Sequence, residues 1–146
     1  MSKIDDALRY FADSGSCSQA IVLSFGPELG LPPEIAIKTA AAFGGGIARS
    51  GELCGALSGA LMVIGLTRVA TPGKEHNEVI YELGQEFLQR FHNRIGSTVC
   101  RDLLGADLST AEGRQKARRE DLFVLRCTNY VKAAAEILEE MLPVIR

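Results

Sequence analysis

The sequence predicts an all-α fold, a compact single domain over residues 1–146 built as a bundle of about six or seven helices around a glycine- and alanine-rich central one. Apolar residues recur at three- and four-residue intervals through most of the chain, as in Ile80, Leu83, Phe87 and Phe91. No stretch alternates β-branched and polar residues between turn signals, the pattern a half-buried strand requires. Glycine, proline and small polar residues gather between the periodic stretches, the exception being the segment that follows Cys54.

Ile4 to Ala12 reads as the first helix, with Ile4, Leu8 and Phe11 on one face and Asp13-Ser14-Gly15 ending it. The second opens at Ser16 or Cys17, places Cys17, Ala20, Ile21 and Ser24 on one side, and stops near Gly26-Pro27. Pro32-Pro33 starts a third, carrying Ile35, Ala36, Thr39, Ala40 and Phe43 to the triplet Gly44-Gly45-Gly46. The central helix follows in the uncharged run from Leu53 to Thr67, with Ser50 as its expected N-cap and with Glu52 and Cys54 in its first turn. Gly55 and Gly59 lie four apart, as do Ala56 and Ala60, and form a stripe open to close approach by a backbone or a ligand. Glycine inside a helix costs roughly 0.5–1 kcal/mol against alanine, so packing or function must compensate.

Thr71 and Pro72 read as N-cap and first position of a long amphipathic helix that ends at Gly96. Ser97 or Thr98 caps a short helix holding Cys100, Leu103 and Leu104. Ser109-Thr110-Ala111-Glu112 matches a capping box, but Arg114 to Glu120 is polar on every side and reads as a weak surface helix or a loop with solvated charges. The last helix runs from about Leu125 to Met141, with Cys127, Val131, Ala134 and Leu138 on its apolar face, before Pro143. The expected core is Leu57, Leu61, Ile64, Ile80, Leu83, Phe87, Phe91, Val131, Ala134 and Leu138.

A formal charge of -2 with scattered basic residues argues against a grip on nucleic-acid phosphate. The start, Met1-Ser2-Lys3-Ile4-Asp5-Asp6, has acids where a signal peptide would be apolar, and no apolar run reaches membrane length, so a cytoplasmic protein without membrane insertion is expected. The Gly44 to Gly46 triplet lacks the Lys and Ser/Thr of a phosphate loop, and no Ser-His-Asp order or carboxylate pair supports a hydrolase. His76 and His92 are too far apart on one helix to be a metal pair.

The chemistry rests on four cysteines, Cys17, Cys54, Cys100 and Cys127. They are too few for a disulfide scaffold and contain no CxxC pair or ferredoxin spacing. Each falls at or near a predicted helix start, where roughly +0.5 of an elementary charge favours anionic sulfur. All four are therefore candidate catalytic thiols, with Cys54 the leading reactive one and expected to be more acidic than a free cysteine. Gly44, Gly45, Gly46, Gly55 and Gly59 are candidate cofactor contacts. If the four helix starts converge, the thiols can pair as disulfides or make a Cys₄ site for zinc or an iron–sulfur cluster; if they do not, two pairs at opposite ends of the bundle remain open. Buried structural cysteines are the plain alternative.

Gly15-Ser16-Cys17, the glycine triplet, Cys54-Gly55-Ala56-Leu57-Ser58-Gly59, Cys100 followed by Arg101 and Leu103, and Cys127 before the final helix together resemble the C_GCAxxG_C_C family of redox-active proteins. The resemblance spans nearly the whole chain. One departure is that the label writes Gly-Cys-Ala where this chain has Cys54-Gly55-Ala56. The resemblance implies a small helical redox protein, from a family often associated with transporter genes, and supplies no substrate. Three functions follow: a thiol redox protein acting in thiol–disulfide exchange or electron transfer with a partner protein, a Cys-ligated metal or cluster module, and a non-catalytic partner of a transporter. Redox titration separates the first from the third, and metal analysis of anaerobically purified protein isolates the second.

Overall fold

In the computed structural model of the chain, residues 2–68 and 73–145 are described, with side chains as far as Pro143. The expected all-α architecture is present. The α-helices are α1 (Lys3–Ser14), α2 (Cys17–Phe25), α3 (Pro33–Ala40), α4 (Gly55–Leu66), α5 (Lys74–Ile95), α6 (Cys100–Leu104), α7 (Ala111–Arg119) and α8 (Thr128–Ile145). Short 3₁₀ turns follow α2 and α3, and a π-helical segment, Phe123–Cys127, leads directly into α8. Among the described residues the only β pairing is an isolated antiparallel bridge between Leu53 and Val99.

Helix α4 is central because its small face admits α2 at backbone distance. A Cβ on Gly59 would stand 2.9 Å from the Ser18 carbonyl oxygen and 3.1 Å from Ile21 Cβ, and one on Gly55 would stand 3.0 Å from the Phe43 oxygen. The glycine stripe is thus used for packing, and the close approach offsets its helix cost. Around this contact Phe11, Ile21, Phe25, Leu57, Ile64, Phe87, Phe91, Val131 and Leu138 form one continuous core with α1, α5 and α8. Of the expected core, Leu61, Ile80 and Leu83 are only half-buried at its edge.

Several helix ends differ from the sequence reading. The central helix begins at Gly55, not in the Ser50 to Leu53 region, and Cys54 is its N-cap. The reason lies upstream: Gly45, Gly46, Ile47, Ala48 and Arg49 all have φ between 49° and 69°, a left-handed turn that α4 cannot continue. Ser50 caps nothing, its hydroxyl donating instead to the Gly46 and Ile47 carbonyls. Helix α5 begins at Lys74, and Thr71 and Pro72, expected to open it, lie outside the described residues.

The polar stretch after Thr110 is helical, capped by the Thr110 hydroxyl accepting from Gly113 N–H, not by Ser109. Its cations are not merely solvated: Arg114 donates to the Leu108 carbonyl and Lys116 to that of Gly105. The final helix passes through Pro143 to Ile145, so that proline does not end it.

The two helical glycines Gly59 and Gly65 generate opposite expectations. Gly59→Ala forces α2 and α4 apart and should lower stability by about 1–3 kcal/mol. A Cβ at Gly65 meets nothing within 4 Å, so Gly65→Ala should raise stability by about 0.5–1 kcal/mol through helix propensity. Urea midpoints of the two variants, moving in opposite directions, check the pair.

Candidate functional site

The four cysteines converge. Cys17 is the first residue of α2, Cys54 caps α4, Cys100 is the first residue of α6, and Cys127 closes the π-helical segment. All four line one chamber of about 30 Å³, walled also by Gly45, Gly46, Gly55, Leu108, Phe123 and Tyr130. They are free thiols; Cys54, Cys100 and Cys127 are buried and Cys17 half-buried.

Local geometry explains each placement. Ser16 caps α2 by accepting from Gln19 N–H, which starts the helix at Cys17. Residues 51–54 lie antiparallel to 98–101: Cys54 N–H donates to Thr98 O (2.9 Å), Cys100 N–H to Glu52 O (2.6 Å) and Arg101 N–H to Gly51 O (3.1 Å). This pairing locks Cys54 and Cys100 into one backbone register. The left-handed turn packs against it, since a Cβ on Gly46 would come within 2.6 Å of Cys100 Cβ. Left-handed backbone costs roughly 1–2 kcal/mol per non-glycine residue, opposed here by Ala48 N–H to Ala42 O (2.7 Å) and Glu52 N–H to Gly46 O (2.9 Å).

Helix α6 is clamped at its far end. Tyr130 O–H donates to Leu103 O (2.7 Å) and Arg126 Nη1 to Leu104 O (3.0 Å), placing a cation at the negative pole of the helix. Both clamps come from the segment that carries Cys127. Tyr130 and Arg126, like Phe123 and Arg49, were not singled out in the sequence; Arg126 was within reach as the cation next to a cysteine, whereas Tyr130 and Phe123 carry no such signal.

Electrostatics separates the thiols. Cys54, expected to be the leading acidic thiol, is instead pushed up from 9.0 to about 12, because burial outweighs the Ala56 and Leu57 N–H groups that favour its thiolate. Those groups act without making a formal capping hydrogen bond. Burial and the charge of Cys127 likewise push Cys100 to about 11, against the pull of Arg101. Cys127 moves the other way: the Cys17 thiol donates to its sulfur and Arg126 adds a positive charge, so its pKa falls despite burial. Donating that hydrogen bond, together with burial, holds Cys17 well above the ordinary value. Half-buried by surface exposure, Cys17 is nonetheless enclosed at its sulfur. The two thiols thus shift in opposite directions, Cys127 toward its thiolate and Cys17 away from it.

Residues 16–141 match the family model described as "Putative redox-active protein (C_GCAxxG_C_C)". The chain belongs to the C_GCAxxG_C_C family. No curated protein and no solved structure matches it. The four cysteines that the fold brings to one chamber all lie within the matched residues. The candidate glycines divide: Gly45, Gly46 and Gly55 line it, Gly44 lines an adjoining cavity, and Gly59 is spent on the α2 contact. Among the described residues no three His, Cys, Asp or Glu side chains are arranged as a group that could hold a metal ion. No helix among them is long and apolar enough to cross a membrane.

Neutral buried thiols couple stability to alkaline pH. Below pH 9 Cys54 is protonated whether folded or unfolded; above it the unfolded chain releases the proton while the fold retains it to about 12. Stability is therefore lost as pH rises through this window, by about 2 kcal/mol from Cys54 by about pH 10.5. Urea midpoints at about pH 8 and 10.5 should show a smaller alkaline loss in Cys54→Ala than in the parent protein.

Proposed function

We propose that the protein exchanges electrons through thiol–disulfide chemistry, with Cys127 as the nucleophile and Cys17 as its resolving partner. The observation that carries this reading is that Cys17 and Cys127 line one chamber beside Arg126, with the Cys127 thiol pulled toward its thiolate and the Cys17 thiol pushed away from it. A thiolate attacks disulfide sulfur and a thiol does not, so the partner that holds the negative charge reacts first. The second thiol lines the same chamber as the sulfur it must attack. Membership of a family described as "Putative redox-active protein" agrees with this chemistry.

Cys54 and Cys100 take a different part. Their neutral thiols line the chamber and keep it apolar enough that a single negative charge stays localised on Cys127. Tyr130 contributes its ring to the same wall while its hydroxyl is committed to the Leu103 carbonyl.

Equilibrating the reduced protein with an oxidising glutathione buffer, then acid-quenching it for intact mass, should show the loss of two hydrogens and a Cys17–Cys127 peptide crosslink. Cys17→Ser and Cys127→Ser should each abolish it, and Cys100→Ser should retain it. Four free thiols after equilibration, or a crosslink that excludes Cys127, would overturn the assignment. The pH midpoint for reaction with a small neutral disulfide should lie below the ordinary thiol value of 9.0, and Cys17→Ala should raise it by removing the donor.

A further inference from the structure

The cysteine chamber has a neighbour. A second cavity of about 370 Å³ shares Gly15, Gly45, Leu108 and Phe123 with it, so these residues are the partition between an outer and an inner chamber. The inner one, about 30 Å³, admits a group the size of one or two waters and nothing larger. Any molecule that reacts with Cys127 must keep its bulk elsewhere. The outer chamber has the volume of a small-molecule site and is far too small for a folded protein.

Its charge is one-sided. Arg49 is the single ionisable side chain on its wall, and among the described residues the Arg49 guanidinium has no ion pair or side-chain hydrogen bond. The other polar lining groups are already engaged: the Ser16 hydroxyl accepts from Gln19 N–H, and Gln19 Nε2 donates to Ile37 O (3.0 Å). The left-handed turn brings Arg49 to the partition. Its Cγ lies 2.9 Å from where a Cβ on Gly45 would stand, so glycine there lets the exposed Arg49 side chain pack against the partition from the outer side. An unmatched guanidinium with paired donors suits a carboxylate.

Resting on the Cys127–Cys17 reading above, we propose that the outer chamber binds a small disulfide bearing a carboxylate, with Arg49 holding the carboxylate while one sulfur reaches the inner chamber. The Cys127 thiolate attacks that sulfur, the substrate S–S bond breaks, and one thiolate departs with the bonding electron pair. Cys17 gives its proton to the departing thiolate and attacks the Cys127 sulfur, releasing the second half of the substrate as a thiolate. The substrate gains two electrons, and the protein is left as the Cys17–Cys127 disulfide.

Single-turnover rates of the reduced full chain with 3,3′-dithiodipropionate, bis(2-hydroxyethyl) disulfide and cystamine test this. A thiolate in solution reacts more slowly with an anionic disulfide than with a cationic one; this protein should invert that order. Arg49→Gln should slow the dipropionate about tenfold or more and leave the neutral disulfide unchanged, with Arg49→Lys between the two. If Cys127→Ser leaves the neutral disulfide reaction unchanged, the thiol–disulfide reading itself falls. If that reaction depends on Cys127 but Arg49→Gln does not slow the dipropionate, the redox reading stands and the outer-chamber site is refuted. A folded protein disulfide reduced as fast as the dipropionate would also refute it.

Discussion

The close contact of α2 with α4 is the constraint on which the site depends. With no side chain at Gly55 or Gly59, the two helices meet at Ser18, and Cys17 Cβ comes within 3.4 Å of where a Gly55 Cβ would be. The first turn of α2 and the capping residue of α4 are thereby brought side by side, which delivers two of the four sulfurs. The other two are placed relative to this pair. The bridge between Leu53 and Val99 hangs Cys100 from the strand-like lead into α4, and α8 packs its apolar face on the same core to deliver Cys127.

Bringing four sulfurs into one enclosed space imposes an electrostatic limit. In a poorly solvated chamber a second thiolate would repel a first at close range and lose its hydration, so the chamber disfavours more than one charge. Symmetry among the four is broken by what surrounds each. Cys127 has both a thiol donor and Arg126, whereas Cys100 has Arg101 at its side but no thiol donating to it. Helix starts, which all four positions share to some degree, do not discriminate between them, and for Cys54 they are outweighed by burial.

The fold class and most helices were legible because they follow from apolar periodicity and from proline and glycine punctuation, which are local. The convergence of the cysteines was open in the sequence, since helix starts in a bundle can point to either end. The same local logic failed at Ser50 to Leu53. A serine three residues before an apolar run looks like a cap, yet its backbone is set by the left-handed turn before it, and three non-glycine residues in that conformation have no sequence signature. The acidity of Cys54 was misjudged for a related reason: a helix start is visible in sequence, but the depth at which it is buried is a tertiary property. Arg114 and Lys116 likewise read as solvated charge because their carbonyl partners lie in a neighbouring loop whose position is not encoded nearby.

The π-helical segment from Phe123 to Cys127 has a consequence for the spacing that this chain can tolerate. It holds one residue more per turn than an α-helix would, and the surplus bows outward as the exposed Val124 and Leu125. Deleting a single residue there would let the helix wind normally, turning everything before Cys127 by about 100° about the axis. Phe123 would leave the partition between the chambers, while Cys127, held by α8, stayed in place. The interval between Leu122 and Cys127 is thus a measured length, and a change of one residue would remove a wall without touching a sulfur.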